Sequence, residues 1–253
     1  DIVMPFQYLP SYGLSTGYVL GGSREYLSGL SLAGVANPNI TWEVANITNI
    51  GFESLWFGNK FSLTADFFRQ RRKNILLPRA ASVPNFTGLV LPDENFGIVD
   101  LKGFELVAGY NDRINQDFSY SVSANFAFAR NKVIDYDEAA RTVPWQVRTG
   151  KPQAAELMYH AIGIYKTQEE IDKSVHLAEA RPGDIIIEDI NGDGEINADD
   201  QILNTKTVNP EITYGLTFGL TYKNWSLSGL VQGAENSSRR VLVELQGLAG
   251  KYF

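Results

Sequence analysis

The chain has 253 residues, of which 44% are hydrophobic, and it carries 29 acidic against 22 basic side chains for a net charge of −7. It contains no Cys, which excludes disulfide scaffolds, Cys-based zinc or iron–sulfur sites and thiol catalysis. The acidic balance argues against nucleic-acid binding, because phosphate backbones bind basic surfaces. No run of about 18 apolar residues predicts a transmembrane helix, and the first residues lack the basic and apolar regions of a signal peptide.

Six segments alternate between large apolar residues and small or polar ones, a period of two that is typical of β-strands. Residues 6–20, rich in Tyr and Gly, show a weaker pattern and are a candidate for one more strand. Very short links join the six segments in pairs, so we predict three hairpins. In chain order the segments are 43–57, 61–67, 98–110, 117–130, 211–222 and 225–234.

Three features favour a membrane barrel over a soluble β-sandwich. Strands of about 12 residues exceed the usual 5–6, and about 9–11 tilted residues cross a bilayer. Short turns alternate with the long connections 74–97 and 132–210, as in outer-membrane barrels. Third, aromatic residues beside the turns resemble an interfacial girdle: Trp56, Phe57, Phe61, Phe118, Tyr120, Tyr222 and Trp225. Periodicity alone leaves both architectures open, because a β-sandwich also packs one face of each sheet inward.

The acidic segment 189–200 has the spacing of an EF-hand calcium loop, with Gly194 at the sharp bend. Asp replaces the usual Glu at position twelve, a variant that resembles dockerin loops. A structural Ca²⁺ is therefore expected, although Asp, Asn and Gly in this order also build a turn without metal. A capping box at 167–170 predicts a helix over 171–180 upstream. The expected calcium ligands are Asp189, Asn191, Asp193, Glu195 through its carbonyl, and Asp200.

No catalytic constellation is found, and we expect no enzyme. Residues 13–17 spell G-x-S-x-G without the strand-to-helix context that a nucleophile elbow needs. His160 and His176 lack partners at metal-ligand spacing, and phosphate-binding Gly-rich motifs are absent. The basic run 69–73 is either a solvated strand end or a contact for lipopolysaccharide or substrate.

Four segments in order resemble signatures of the SusC/RagA-type TonB-dependent outer-membrane transporters. Residues 37–43 (NPNITWE) with 48–51 (TNIG) are similar to that family's NPxLxWE…TNxG, and 61–72 resemble the strand that follows. The segment beginning at Gly183-Asp184 and continuing to Gly194 resembles GDxxxxDxNGDGxI, and 209–215 resemble NPxxxYG. The resemblance spans residues 37–235.

The resemblance implies an all-β, antiparallel transmembrane barrel of about 22 strands, of which residues 1–253 would supply about 6–8 from the later half. It implies import of oligosaccharides or peptides across the outer membrane of a Gram-negative bacterium, with 132–210 as an extracellular loop. The implied partners are a SusD-like surface lipoprotein, the TonB complex acting through a plug domain, and the lipid bilayer with its lipopolysaccharide. Trp145, Tyr159 and Tyr165 are candidate substrate contacts.

The alternative from another class is a secreted, soluble, β-rich module that binds carbohydrate or mediates adhesion. It would carry the same dockerin-like calcium loop at 189–200. The need for detergent separates this alternative from a barrel.

Overall fold

The computed structural model describes residues 6–22, 25–79, 81, 91–141 and 143–239. Residues 239–253 lack clear alternation in the sequence and are predicted to form a loop, which lies outside the described residues except for residue 239. The chain divides into two units, one of residues 1–46, 70–100 and 133–140 and the other of residues 47–69, 101–132 and 141–253. Within the described part, no helix has the length and apolar character needed to span a membrane.

Strands dominate the described residues, and all six strongly alternating segments form strands. Four of them are longer than predicted, one of these by a single residue, and the weak segment 6–20 contains another strand. The strands are β1 (Ser11–Leu20), β2 (Glu25–Gly34), β3 (Val44–Trp56), β4 (Phe61–Leu77), β5 (Glu94–Arg113), β6 (Phe118–Asp135), β7 (Glu156–Tyr159), β8 (Ala161–Ile164), β9 (Ile185–Ile187), β10 (Gln201–Asn204), β11 (Ile212–Tyr222) and β12 (Trp225–Glu235).

The six long strands form one sheet in the order β12-β11-β6-β5-β4-β3, in which each strand lies beside its neighbour in the chain. The long loop, residues 136–211, interrupts this meander between β6 and β11. β11 pairs antiparallel with β12 and with β6, so that Tyr222 lies between Trp225 and Phe118. Because directly paired residues point to the same face, this register collects the large side chains of three strands on one side, the apolar face.

Ring contacts extend the apolar face across β4 and β5. The Phe104 ring on β5 lies 6.1 Å from Phe67 on β4 and 5.7 and 5.8 Å from Phe126 and Phe128 on β6, between ring centroids. The opposite side of the sheet, the polar face, carries small and polar residues. A Cβ on Gly215, for example, would meet the side chain of Asn125 at 2.4 Å. The predicted alternation is confirmed.

Neither face of this sheet carries a packed second layer among the described residues. Within the sheet, the buried apolar side chains there are Ala65 and Val133. Leu216 and Leu227 on the apolar face are 41% and 61% exposed. A soluble sandwich buries one face of each sheet against the other. The apolar face instead presents a broad hydrophobic surface, which marks contact with a membrane or partner.

The long loop has a small core of its own, formed around two short sheets, β7–β10 and β8–β9. Its helix α1 (Gln168–Asp172) is shorter than the predicted 171–180 and begins earlier, with Thr167 accepting the Glu170 amide as N-cap. The prediction of a helix over residues 171–180 was therefore wrong. The backbone N–H and the hydroxyl of Ser174 both donate hydrogen bonds to the carbonyl of Ile171, and these bonds end the helix. The buried apolar residues of the loop are Val143, Ala155, Tyr165, Ile171 and Leu203.

In the unit of residues 1–46, 70–100 and 133–140, hydrogen bonds join the motif at 37–43 to the start of β5. The Asn95 amide donates to the Thr41 carbonyl, 2.9 Å, and its oxygen accepts the Thr41 N–H, 2.9 Å. The Asn37 amide likewise donates to the carbonyl of Asp93, 2.8 Å. These side-chain bonds replace strand pairing for a segment that enters β3. They account for Asn37 in the motif, whereas Thr41 takes part through its backbone.

We expect Ile171→Ala to lower the local unfolding free energy of the long loop by about 2–5 kcal/mol, since it opens a cavity at a fully buried aliphatic site. Ile171 is 1% exposed. Hydrogen exchange of the loop amides in the full-length protein measures the change. Ile162→Ala, at a residue that is 57% exposed, is the matched control and should leave protection intact. Equal loss of protection in both variants would contradict the assignment of this core.

Candidate functional site

The acidic segment of the long loop forms a tight turn around Asp189. One carboxylate oxygen of Asp189 accepts the Gly192 amide at 2.7 Å and the other accepts the Gly194 amide at 3.0 Å. Gly192 and Gly194 have φ values of +72° and +86°, a region that residues with a Cβ rarely adopt. The two glycines therefore let the backbone wrap around one carboxylate, as an EF-hand-type loop requires.

Asp193 is the second carboxylate of this turn. It accepts the Glu195 amide at 2.9 Å and the side-chain amide of Asn191 at 2.7 Å. These bonds, chiefly the one from the Glu195 backbone, hold the pKa of Asp193 below its usual value. Asp189, Asn191 and Asp193 thus lie in one turn with oxygen donors of the kind that Ca²⁺ prefers.

Asp200, the expected closing ligand, is fully buried and is the last residue of a 3₁₀ turn, Ala198–Asp200, in which it forms a capping box with Asn197. Its two oxygens accept the backbone amides of Ile190 and Asn197 at 2.9 and 2.8 Å. Glu195 is exposed. No group of three or more Asp, Glu or His side chains is arranged to hold a metal ion in the described part of the chain. The donor set suits calcium, while the geometry is that of a turn satisfied by its own hydrogen bonds.

A clamp that the motifs did not indicate ties this acidic turn to the start of the loop. Trp145 and Gln146 lie in a 3₁₀ turn, Pro144–Gln146. The Trp145 indole N–H donates to the carbonyl of Asp199 at 2.8 Å. The buried Gln146 amide donates to the carbonyls of Ala198 and Gln201 at 2.7 and 3.0 Å. In the sequence, Pro144 is the one local sign of this turn, since Pro favours the first turn of a helix.

The three candidate substrate residues have different surroundings. Tyr165 is 3% exposed and its hydroxyl donates to the Val175 carbonyl at 3.2 Å, which favours a packing role. Trp145 is half-buried, and its indole N–H donates to the carbonyl of Asp199. Tyr159, at the end of β7, is 41% exposed. Next to it, His160 Nδ1 lies 2.5 Å from a Glu188 carboxylate oxygen, a contact that joins the residue before β8 to the residue after β9. Of the three, Tyr159 alone presents its ring to solvent.

The polar face of the sheet is concave near the tight turns. A cavity of about 420 Å³ opens there, between β5, β6, β11 and β12. Hydroxyl-bearing and small residues dominate its lining, which leaves room for water or for another polypeptide segment. The small and hydroxyl-bearing members are Ser119, Ser121, Gly219, Thr221, Ser226 and Ser228.

Comparison with known proteins supplies the family. The family model described as TonB dependent receptor-like, beta-barrel, matches residues 7–242. TonB-dependent receptor P3 of Formosa agariphila is 26% identical over 246 residues, covering 92% of this chain and 24% of that protein. TonB-dependent receptor P26 of the same organism is 26% identical over 220 residues, covering 83% of this chain and 22% of its own length.

Solved structures of the RagAB peptide importer share the fold. The 'open-open' state aligns with a TM-score of 0.64 at 20% identity, over 93% of this chain and 24% of that one. A structure titled as the RagAB peptide transporter gives 0.63 at 20% identity, over 91% and 24%. The chain spans about a quarter of the length of these relatives. The alternative of a secreted soluble module finds no support in them. The chain belongs to the TonB-dependent receptor-like β-barrel family, in agreement with the resemblance to SusC/RagA-type transporters.

Proposed function

We propose that this chain forms part of the wall and the external loops of an outer-membrane importer that takes up oligosaccharides or peptides. The observation that carries the proposal is the family match over residues 7–242 on a sheet whose apolar face is exposed. TonB-dependent receptors are transporters rather than enzymes. The expected chemistry is binding and gated passage, without a covalent step.

The height of the apolar face supports a position in the bilayer. On β6 this face runs from Phe118 to Phe128. Ten residue steps at about 3.4 Å, tilted by about 40°, span about 26 Å along the membrane normal. Outer-membrane barrels carry an apolar band of about 25 Å. The apolar face would meet lipid, and the concave polar face would line the aqueous interior.

The sheet must continue beyond the residues described. β3 and β12 are its outermost strands, and an unpaired strand edge is not tolerated in hydrocarbon. Strands from the remainder of the polypeptide would close the barrel. Energy coupling through a plug domain and the TonB complex, and a SusD-like lipoprotein over the external loops, belong to that whole assembly.

The substrate class is proposed at the level of the family. The related structures are titled as a peptide importer or transporter, and their 20% identity supports the fold alone, so an oligosaccharide or a peptide suits the proposal. Tyr159 is the favoured contact of the three candidates, because an exposed aromatic ring offers a flat apolar surface with a polar edge to either ligand.

We further propose a structural Ca²⁺ in the turn 189–200. Asp189, Asn191 and Asp193 would supply side-chain oxygens and Glu195 its carbonyl. Asp200 would complete the shell through lone pairs that its two backbone hydrogen bonds leave available. The lowered pKa of Asp193 keeps one ligand ionised, and the ion would stabilise the loop without entering the transport step.

The importer proposal is tested with the full-length polypeptide in a Gram-negative host. We expect recovery in the outer-membrane fraction, extraction only with detergent, and uptake of labelled oligosaccharides or peptides that stops when TonB is deleted. The TonB-deleted strain is the control for passive leakage. A full-length protein that stays monodisperse in detergent-free buffer would refute the proposal.

The face assignment is tested by placing one charge on either side of β11. Leu216 belongs to the apolar face and Thr217 to the polar face. We expect Leu216→Arg to destabilise the assembled barrel by about 2–4 kcal/mol, the cost of Arg at the bilayer midplane. Thr217→Arg, the matched control, would face water and should assemble normally. Denaturant titration of the folded band on gels in lipid gives both values, and a reversed order would overturn the assignment.

The calcium proposal predicts a thermal midpoint of the long loop that rises with Ca²⁺ and falls with EGTA. At calcium one hundred times the dissociation constant the gain is about 2.7 kcal/mol. Asp189→Ala with Asp193→Ala should abolish the difference between the two conditions, while Glu169→Ala, an exposed acid outside the turn, should keep it. A wild-type midpoint that is indifferent to EGTA would rule out the site.

A further inference from the structure

The apolar face ends in a row of four cations on three neighbouring strands. On β4, Arg69 follows Phe67 by two residues; on β6, Arg130 follows Phe128 by two. On β5, Lys102 precedes Phe104 by two residues, as expected for a strand of opposite direction. Lys132 continues the same side of β6, and all four cations are exposed. We call Arg69, Lys102, Arg130 and Lys132 the cationic row.

The ring contacts place the row on the apolar face. Phe67 and Phe128 both contact the ring of Phe104, so these three rings lie side by side. Residues two positions further along a strand share its face, and the cations therefore lie one step beyond the rings. The Arg130 guanidinium, 5.4 Å from the centroid of the Phe128 ring, shows this boundary directly.

The row keeps an excess of positive charge. Glu211 binds Arg130 through two hydrogen bonds of 2.8 and 2.6 Å and so offsets one cation. Lys102 and Lys132 form no ion pair with any residue that the structure describes. The nearest acidic residue along β5 on this side, Asp100, is itself 3.5 Å from Arg71.

The opposite rim of the apolar face, at the tight turns, has a different composition. There Trp56 stacks on Phe61, and Lys60 is neutralised by Asp112 at 2.8 Å. Lys223 lies over the ring of Tyr222 at 5.4 Å. Aromatic rings dominate this rim, whereas the cationic row lies at the long-loop ends of β4, β5 and β6. On β12 the same end of the apolar face carries an acid, Glu235, which pairs with Ile212. The two ends of the strands are therefore suited to leaflets of different charge.

We propose that the cationic row binds the phosphate groups of lipid headgroups in the leaflet around the long-loop ends of the strands. The inference depends on the proposed membrane position. The apolar band of about 25 Å fills the hydrocarbon, so the next side chains reach the headgroup level. Lys and Arg lay their methylene stems on apolar surface and extend the charge to such groups, and Arg binds phosphate bidentately. The Phe128 ring beneath Arg130 adds a cation–π contribution.

The test uses the full-length protein in nanodiscs and the variant Lys102→Gln with Lys132→Gln, which spares the Arg130–Glu211 pair. The probes are bis-phosphorylated lipid A and the same lipid without its phosphates, with bound lipid counted by native mass spectrometry. We expect the double variant to bind the phosphorylated probe about 10- to 30-fold more weakly, from about 1 kcal/mol for each cation near a charged surface. Added salt should weaken wild-type binding.

The matched control is Lys206→Gln with Lys223→Gln, which removes two exposed cations outside the row. It should bind the phosphorylated probe as the wild type does. Equal binding by the double variant and the wild type, or equal binding of both probes, would overturn the inference while leaving the importer intact. Inorganic phosphate that displaces the probe completely at equal concentration would also overturn it, because the site would then be one for free anions. Failure of the full-length protein to insert would instead refute the proposed function.

Discussion

The backbone hydrogen-bond ladder between β6, β11 and β12 is the constraint on which the rest of the structure depends. Its register runs without a shift from Ile212 to Tyr222 on both sides of β11. A slip by one residue would turn every large side chain of a strand to the other face. Among the described residues the sheet has a single layer and no core that would correct such an error, so the pairing itself must separate the apolar face from the polar face.

The sheet and the long loop solve the problem of burial in opposite ways. The sheet relies on its surroundings to cover the apolar face, because the side chains there stay substantially exposed. The long loop instead buries its own cluster around Tyr165 and Ile171. Hydrogen bonds from Trp145 and Gln146 hold the acidic turn to the start of the loop. A loop of this length needs such internal contacts to keep one conformation.

The long strands could be predicted because an uncovered sheet shows its two faces directly as a period of two. β2 was missed, since Tyr26, Leu27 and Leu30 do not hold that period, and helix α1 was overestimated because Ser174 ends it through a side-chain bond. The acidic turn was recognised from its spacing, yet the buried, backbone-bonded state of Asp200 was not, as burial depends on tertiary contacts. The clamp at Trp145 joins residues more than 50 positions apart and leaves no local periodic signal. The cationic row could not be read from the run 69–73, because alternation separates the members of that run between two faces and the other cations of the row come from β5 and β6.

The position of the long loop in the sheet has a consequence for how such proteins diversify. β6 and β11 are adjacent, with an unbroken ladder, and Glu211 at the end of the loop is bound by Arg130 and Asn236 from the strands on either side. The loop therefore leaves and re-enters the sheet at one closed point, as an insertion would between two strands of a hairpin. Its sequence can change in length and content without any change in strand register. Selection on the sequence of the loop is in this way separated from selection on the pairing of the strands.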